Sequence, residues 1–163
     1  MRISATILIL AGAAFAAHAD DDDARAFTTP RLPLYEQECG SCHLAYPPGM
    51  LPARSWVSML DGLADHFGQN AELSPTATAT LSAYLRAEAA DVRRGRWSRK
   101  VLRSSAGQTP RRISELAFMR KDHDEISREV WARPAVLSRA NCAACHQDAT
   151  TWDFDEDRAR IPR

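Results

Sequence analysis

Apolar side chains fall along this chain in short periodic stretches separated by prolines, glycines and charge runs. The first, Ile3 to Ala17, follows Met1-Arg2 and ends in Ala17-His18-Ala19, the charged, hydrophobic and small-residue order of a secretory leader cleaved after Ala19. An uncleaved anchor is the alternative, but the run is short and no later segment has the apolar length to span a bilayer. Pro30 and Pro33 keep the next stretch extended, and Leu32, Leu34 and Tyr35 lead into a short helix that ends at residues 39–43. Tyr46-Pro47-Pro48-Gly49 forces a turn. From Ser55 to Gln69, Trp56, Leu60, Leu63 and Phe67 recur at steps of four, three and four, which predicts a helix with Met59, Gly62 and His66 along its edge. There Gly62 would let a flat group approach one turn before His66. Ser74-Pro75 has the serine cap and first-turn proline of a helix start, continued by Ala77, Leu81, Tyr84, Leu85 and Ala89.

Val92 to Ser114 breaks the pattern. Arg93, Arg94, Arg96, Arg99, Lys100, Arg103, Arg111 and Arg112 occur with no acid among them, and Gly95, Gly107 and Pro110 interrupt the run. It reads as a long basic connection, either a solvated loop or one that holds carboxylates or steers an acidic partner. Thr109-Pro110 opens a further predicted helix whose face carries Leu116, Met119, His123, Ile126 and Val130. Pro134 ends it, and a short helix is expected from Ala135 to His146. The tail from Trp152 to Arg163 has no period and reads as a wrapping segment, with Trp152 and Phe154 packed on whatever lies beneath.

Every cysteine of the chain sits in one of two segments of the same chemistry, Cys39-Gly40-Ser41-Cys42-His43 and Cys142-Ala143-Ala144-Cys145-His146. Two thiols three positions apart lie on about one turn of backbone, which lets them add across the two vinyl groups of one haem while the next histidine reaches the iron from the same side. A dithiol pair or a four-thiolate zinc site are the competing readings. Both leave the histidine after each pair unexplained in a chain with 5 histidines. Two haems are therefore expected, with Cys39, Cys42, Cys142 and Cys145 binding the cofactors and His43 and His146 as iron ligands.

Haem iron takes one further axial ligand. His18 leaves with the leader, so His66 and His123 remain for two vacant positions. Bis-histidine ligation is the preferred reading, with His66 opposite His43 and His123 opposite His146, and crossed pairing as its variant. Met50, Met59 and Met119 are rival ligands, and an open position on one iron is a third arrangement.

Composition narrows the function further. Loss of residues 1–19 removes one basic residue, Arg2, and no acid, taking 21 basic against 21 acidic groups to 20 against 21, a net charge of −1. With no interleaved basic and aromatic surface, nothing favours nucleic acid. The Asp20 to Asp23 run reads as a solvated tail. At 7% aromatic residues, side chains alone make a thin core, so haem rings are expected to complete it. At about 25 cal/mol per Å² over several hundred Å², each ring contributes on the order of 10 kcal/mol, an upper bound.

Glu38-Cys39-Gly40-Ser41-Cys42-His43, Ala45-Tyr46-Pro47-Pro48-Gly49, Leu51-Pro52-Ala53-Arg54-Ser55-Trp56, His66-Phe67-Gly68, His123 and Asn141-Cys142-Ala143-Ala144-Cys145-His146 together resemble the bacterial dihaem cytochrome c family often called DHC. The resemblance covers residues 34–162. It implies a small periplasmic electron carrier with two bis-histidine haems, whose redox partner is an oxygen-binding monohaem cytochrome or a membrane b-type cytochrome.

The sequence thus predicts a mostly α, small irregular helical c-type cytochrome in one domain of residues 20–163 after a signal peptide at 1–19. Its first haem half is about 34–91, the basic connection 92–114, and the second haem half about 115–163. It is expected to be periplasmic, to carry electrons to or from a protein partner, and to have no catalytic residues and no membrane span in the mature chain. A haem enzyme such as a peroxidase or reductase, or a gas sensor, is the alternative, and each needs an open iron position.

Overall fold

The computed structural model describes residues 27–163; the leader and the Asp20 to Asp23 run lie outside them. The described residues form short helices joined by turns, with no strand among them: α1 (Pro33–Gly40), α2 (Ala53–Asp61), α3 (Pro75–Ala87), α4 (Arg96–Ser105), α5 (Ala117–Lys121) and α6 (Arg128–Trp131). No helix among them is long and apolar enough to cross a membrane.

The core is built on α2 against α3. Helix α3 starts where the cap chemistry places it, with the Ser74 side chain accepting from the Ala77 N–H at 3.2 Å and Pro75 in the first turn. Its apolar face buries Leu81 and Leu85, worth about 1.5–3 kcal/mol each. From α2, Trp56 enters the same core and its indole N–H donates to the Pro48 carbonyl at 2.7 Å, satisfying a donor that burial would otherwise strand. Tyr35 of α1, 2% exposed, completes the layer edge-on to Trp56 and tilted against Tyr84. The turn at Pro48–Met50 lies against α4, and Gly49 packs closely there: a Cβ would come within 3.3 Å of the Phe27 ring.

Four expected elements differ. The helix predicted from Ser55 to Gln69 spans Ala53–Asp61 only; Gly62 caps it, a 3₁₀ turn follows at Leu63–Asp65, and Phe67 and Gly68 take left-handed φ of 57° and 92°. That reversal removes Phe67 from the apolar stripe and leaves it 41% exposed. The basic stretch is not all connection. It contains α4, whose Val101, Ser98 and Ser105 face are buried while the arginines point outward, a spacing masked in the sequence by the density of charge. The helix expected after Pro110 is cut into a 3₁₀ turn at Ile113–Glu115, α5 and α6, and His123 lies in the turn between α5 and α6. From Ala135 to His146 there are turns and one 3₁₀ segment, Cys142–Ala144, with Leu137 left-handed at φ 67°.

Two hydrogen bonds tie the regions of the two cysteine motifs together. Trp152, 3% exposed, donates from its indole N–H to the Ala45 carbonyl at 2.7 Å. In the opposite sense, the Tyr46 hydroxyl donates to the Ala140 carbonyl. The wrapping expected of the tail is realised: Arg160 N–H donates to the Cys145 carbonyl at 2.9 Å, Arg133 donates to the Pro162 carbonyl at 2.6 Å, and Arg158 pairs with Asp148, Asp153 and Asp155.

Candidate haem sites

Helix α1 ends inside the first motif, carrying Cys39 in its last turn and leaving Cys42 and His43 just beyond. The His43 Nδ1 hydrogen-bonds the Leu44 carbonyl at 2.7 Å, which directs Nε2 away from the backbone. Facing it is His66, at 6.0 Å between ring centres and 23° between planes. His66 is delivered by the turn after α2: its backbone pairs with Gln69, and Asp65 accepts from the Gly68 N–H at 2.8 Å. Left-handed Gly68 is what closes this loop.

The second motif repeats the arrangement with different scaffolding. The His146 N–H is held by the Cys142 carbonyl at 2.9 Å, and its ring lies 6.2 Å from that of His123, at 68°. His123 Nδ1 hydrogen-bonds the Met119 carbonyl at 2.8 Å, again freeing Nε2. Phe154 of the tail covers the outer side of His146 at 5.7 Å. The structure therefore brings together His43 with His66 and His123 with His146, the pairing within each half that the sequence favours.

An open cavity of about 500 Å³ runs past both motifs and is lined by Cys39, Cys42, His43, His66, His123 and Cys142 together with Trp56, Leu60, Met59 and Met119. Its size is that of a cofactor pocket, which spans about 300–1,000 Å³. Burial pushes the Cys39 thiol up to about 11, helped by the Glu38 charge, and burial likewise pushes Cys142 up to about 11. Cys145 moves upward for the same reason. Burial of these sulfurs beside an apolar cavity is compatible with uncharged thioethers. Among the described residues no three His, Cys, Asp or Glu side chains converge to hold one metal ion.

Burial, then His43 and the Arg111 and Arg112 charges, hold His66 below the usual histidine range; burial and then His123 do the same for His146. Both shifts favour the neutral imidazole, the form that can donate a lone pair to iron. The His146 Nδ1 is buried and has no hydrogen-bond partner among the described residues, unlike the Nδ1 atoms of His43 and His123. On these observations the residues present fit two covalently held porphyrins.

Some contributors were not legible beforehand. Each outer histidine is backed by an aromatic ring that itself carries an arginine: Phe67 lies 4.8 Å from His66 with Arg112 3.8 Å above it, and Trp131 lies 6.2 Å from His123 with Arg139 4.7 Å above it. Arg111, Arg112 and Arg139 all line the cavity. Gly62 lies beside this arrangement, and a Cβ there would come within 3.0 Å of the Arg111 guanidinium. Arg139 stands three residues before Cys142, and nothing in its sequence context marks it out.

A family model described as "Dihaem cytochrome c" matches residues 35–154. No curated protein matches the chain. Among solved structures, a diheme cytochrome c from Rhodobacter sphaeroides is 38% identical over 77% of this chain and 98% of its own, with a TM-score of 0.69. The diheme cytochrome type c of Shewanella baltica OS155 is also 38% identical, over 82% of this chain and 94% of its own, with a TM-score of 0.67. Sequence and fold therefore agree along nearly the whole described chain, and this protein belongs to the dihaem cytochrome c family, with two covalently bound haem c groups as its cofactors.

Proposed function

We propose that this protein is a periplasmic electron carrier in which Cys39 and Cys42 hold one haem, Cys142 and Cys145 hold the other, and each iron is capped by two histidines, His43 with His66 and His123 with His146. The observation that carries this reading is the ring spacing. A metal–imidazole bond is about 2 Å long, so two ligating nitrogens are about 4 Å apart, and adding about 1 Å from each nitrogen to its ring centre gives about 6 Å. The spacings of 6.0 and 6.2 Å match that requirement in both halves.

When bound, the haem irons supply a one-electron ferric–ferrous couple. The chain's part is to fix that couple and insulate it. Carbonyls at Leu44 and Met119 orient His43 and His123, while the apolar wall from Trp56, Leu60 and Met59 excludes water. Arg111, Arg112 and Arg139 line the cavity and would supply counter-charge to the carboxylates of a bound haem. Were two histidines to ligate each iron, no coordination position would be left for a substrate or gas, which separates a carrier from a peroxidase, a reductase or a sensor.

Export is supported by the leader-like sequence at 1–19 and by the fit of haem c chemistry to an oxidising compartment. The partner is a second redox protein, and the family resemblance points to an oxygen-binding monohaem cytochrome or a membrane b-type cytochrome. The test is addition of carbon monoxide to the reduced protein and cyanide to the oxidised protein. A carrier with saturated irons leaves both spectra unchanged over minutes, whereas rapid binding at either haem refutes the assignment.

A further inference from the structure

We propose that Tyr46 is the bridge that couples the two haem sites electronically, a positioning residue between His43 on one side and the Cys142 segment on the other. The inference rests on His43 being an iron ligand and Cys142 a haem attachment point. Three contacts place the side chain. Its ring lies over the His43 imidazole, 5.2 Å between centres and 29° from parallel. Its hydroxyl donates to the Ala140 carbonyl, 94 positions along the chain and two residues before Cys142. Its own carbonyl accepts a hydrogen bond of 2.6 Å from the buried Tyr35 hydroxyl, and the buried pair Pro47-Pro48 follows it. Both the backbone and the ring are thus held in one position.

The path from the first site to the second is then one ring stack, one hydrogen bond and two peptide units. The other cross-tie, Trp152 to Ala45, is a hydrogen bond to a backbone carbonyl, with no ring stacked on a histidine of either motif among the described residues. In the coupling step one electron leaves a ferrous site and arrives at a ferric site, so one iron is oxidised and the other reduced. Tyr46 acts as the medium between them and is neither oxidised nor deprotonated.

The test uses the full holoprotein and two substitutions, Tyr46→Phe, which keeps the ring and deletes the hydrogen bond, and Tyr46→Leu, which deletes both. A flash-generated flavin semiquinone delivers one electron per molecule, and the re-equilibration between haems is followed optically, with both midpoint potentials and the ferric paramagnetic resonance spectrum measured on the same samples. After correction for measured driving force, equilibration is expected to be several-fold slower in Y46F and slower again in Y46L, with two low-spin haems retained. Wild-type rates in Y46F overturn the bridge, and that variant alone decides if Y46L fails to load both haems. Failure of the ligation reading appears separately, as high-spin signal in the wild-type protein.

Discussion

Replacing Trp152 by phenylalanine separates the cross-tie from simple burial of an aromatic ring. The indole N–H of Trp152 satisfies the Ala45 carbonyl in a buried position, at 2.7 Å and across 107 positions of sequence. Deleting the donor leaves that carbonyl unsatisfied, which costs about 1–3 kcal/mol. The smaller ring leaves a void worth about 1 kcal/mol more. The same substitution at Trp97 is the internal control. Its indole N–H is buried with no partner, so Trp97→Phe removes an orphaned donor and is expected to be close to neutral. The assay is guanidinium and thermal unfolding of both holoproteins, followed by far-ultraviolet circular dichroism and haem absorbance. W152F is expected to lose about 2–4 kcal/mol, a fall in Tm on the order of 10 °C for a chain of this size, with W97F near wild type. Equal midpoints for the two variants would refute the claim that this hydrogen bond joins the two motif regions.

Three further outcomes follow from the site. His66→Ala and His123→Ala each remove one ring of a facing pair, so each variant is expected to convert one haem of two to high spin and to open it to carbon monoxide; paramagnetic resonance quantifies the converted fraction as half. Free imidazole added to either variant is expected to restore the low-spin spectrum. Arg112→Gln and Arg139→Gln withdraw positive charge that disfavours the ferric state, so each is expected to lower a midpoint potential. At about 10 Å and an effective dielectric of about 20 the effect is on the order of 1 kcal/mol, tens of millivolts for one electron, and it shrinks with salt because these side chains are exposed.

What could be read from the sequence follows from how local its cause is. The cysteine motifs are legible because covalent attachment fixes thiol and histidine spacing within five residues. Ser74-Pro75 announces α3 because a helix cap is a contact across a single turn. Counting donors points to His66 and His123, and the structure places their rings 6.0 and 6.2 Å from those of His43 and His146. The scaffolding around them was not legible in the same way. Helical periodicity predicted long helices through Gln69 and Val130, yet residues that face a cofactor cavity satisfy the same apolar pattern without continuing a helix. His66 sits in a turn closed by left-handed Phe67 and Gly68, and His123 in a turn between α5 and α6. The role of Tyr46 was invisible because its decisive contact, the Ala140 carbonyl, lies 94 residues away. Helix α4 was hidden for a different reason: Val101 and two serines are all that its buried face shows among eight cationic neighbours in the surrounding stretch.

Low-temperature paramagnetic resonance of the ferric protein, with haem counted by intact mass on the same sample, tests the ligation most directly. Two covalent haems per chain, both low-spin and with no methionine-to-iron charge-transfer band in the optical spectrum, are the predicted result. A high-spin iron, a methionine signature at either haem, or a chain that carries fewer than two haems after maturation in a competent host would contradict it.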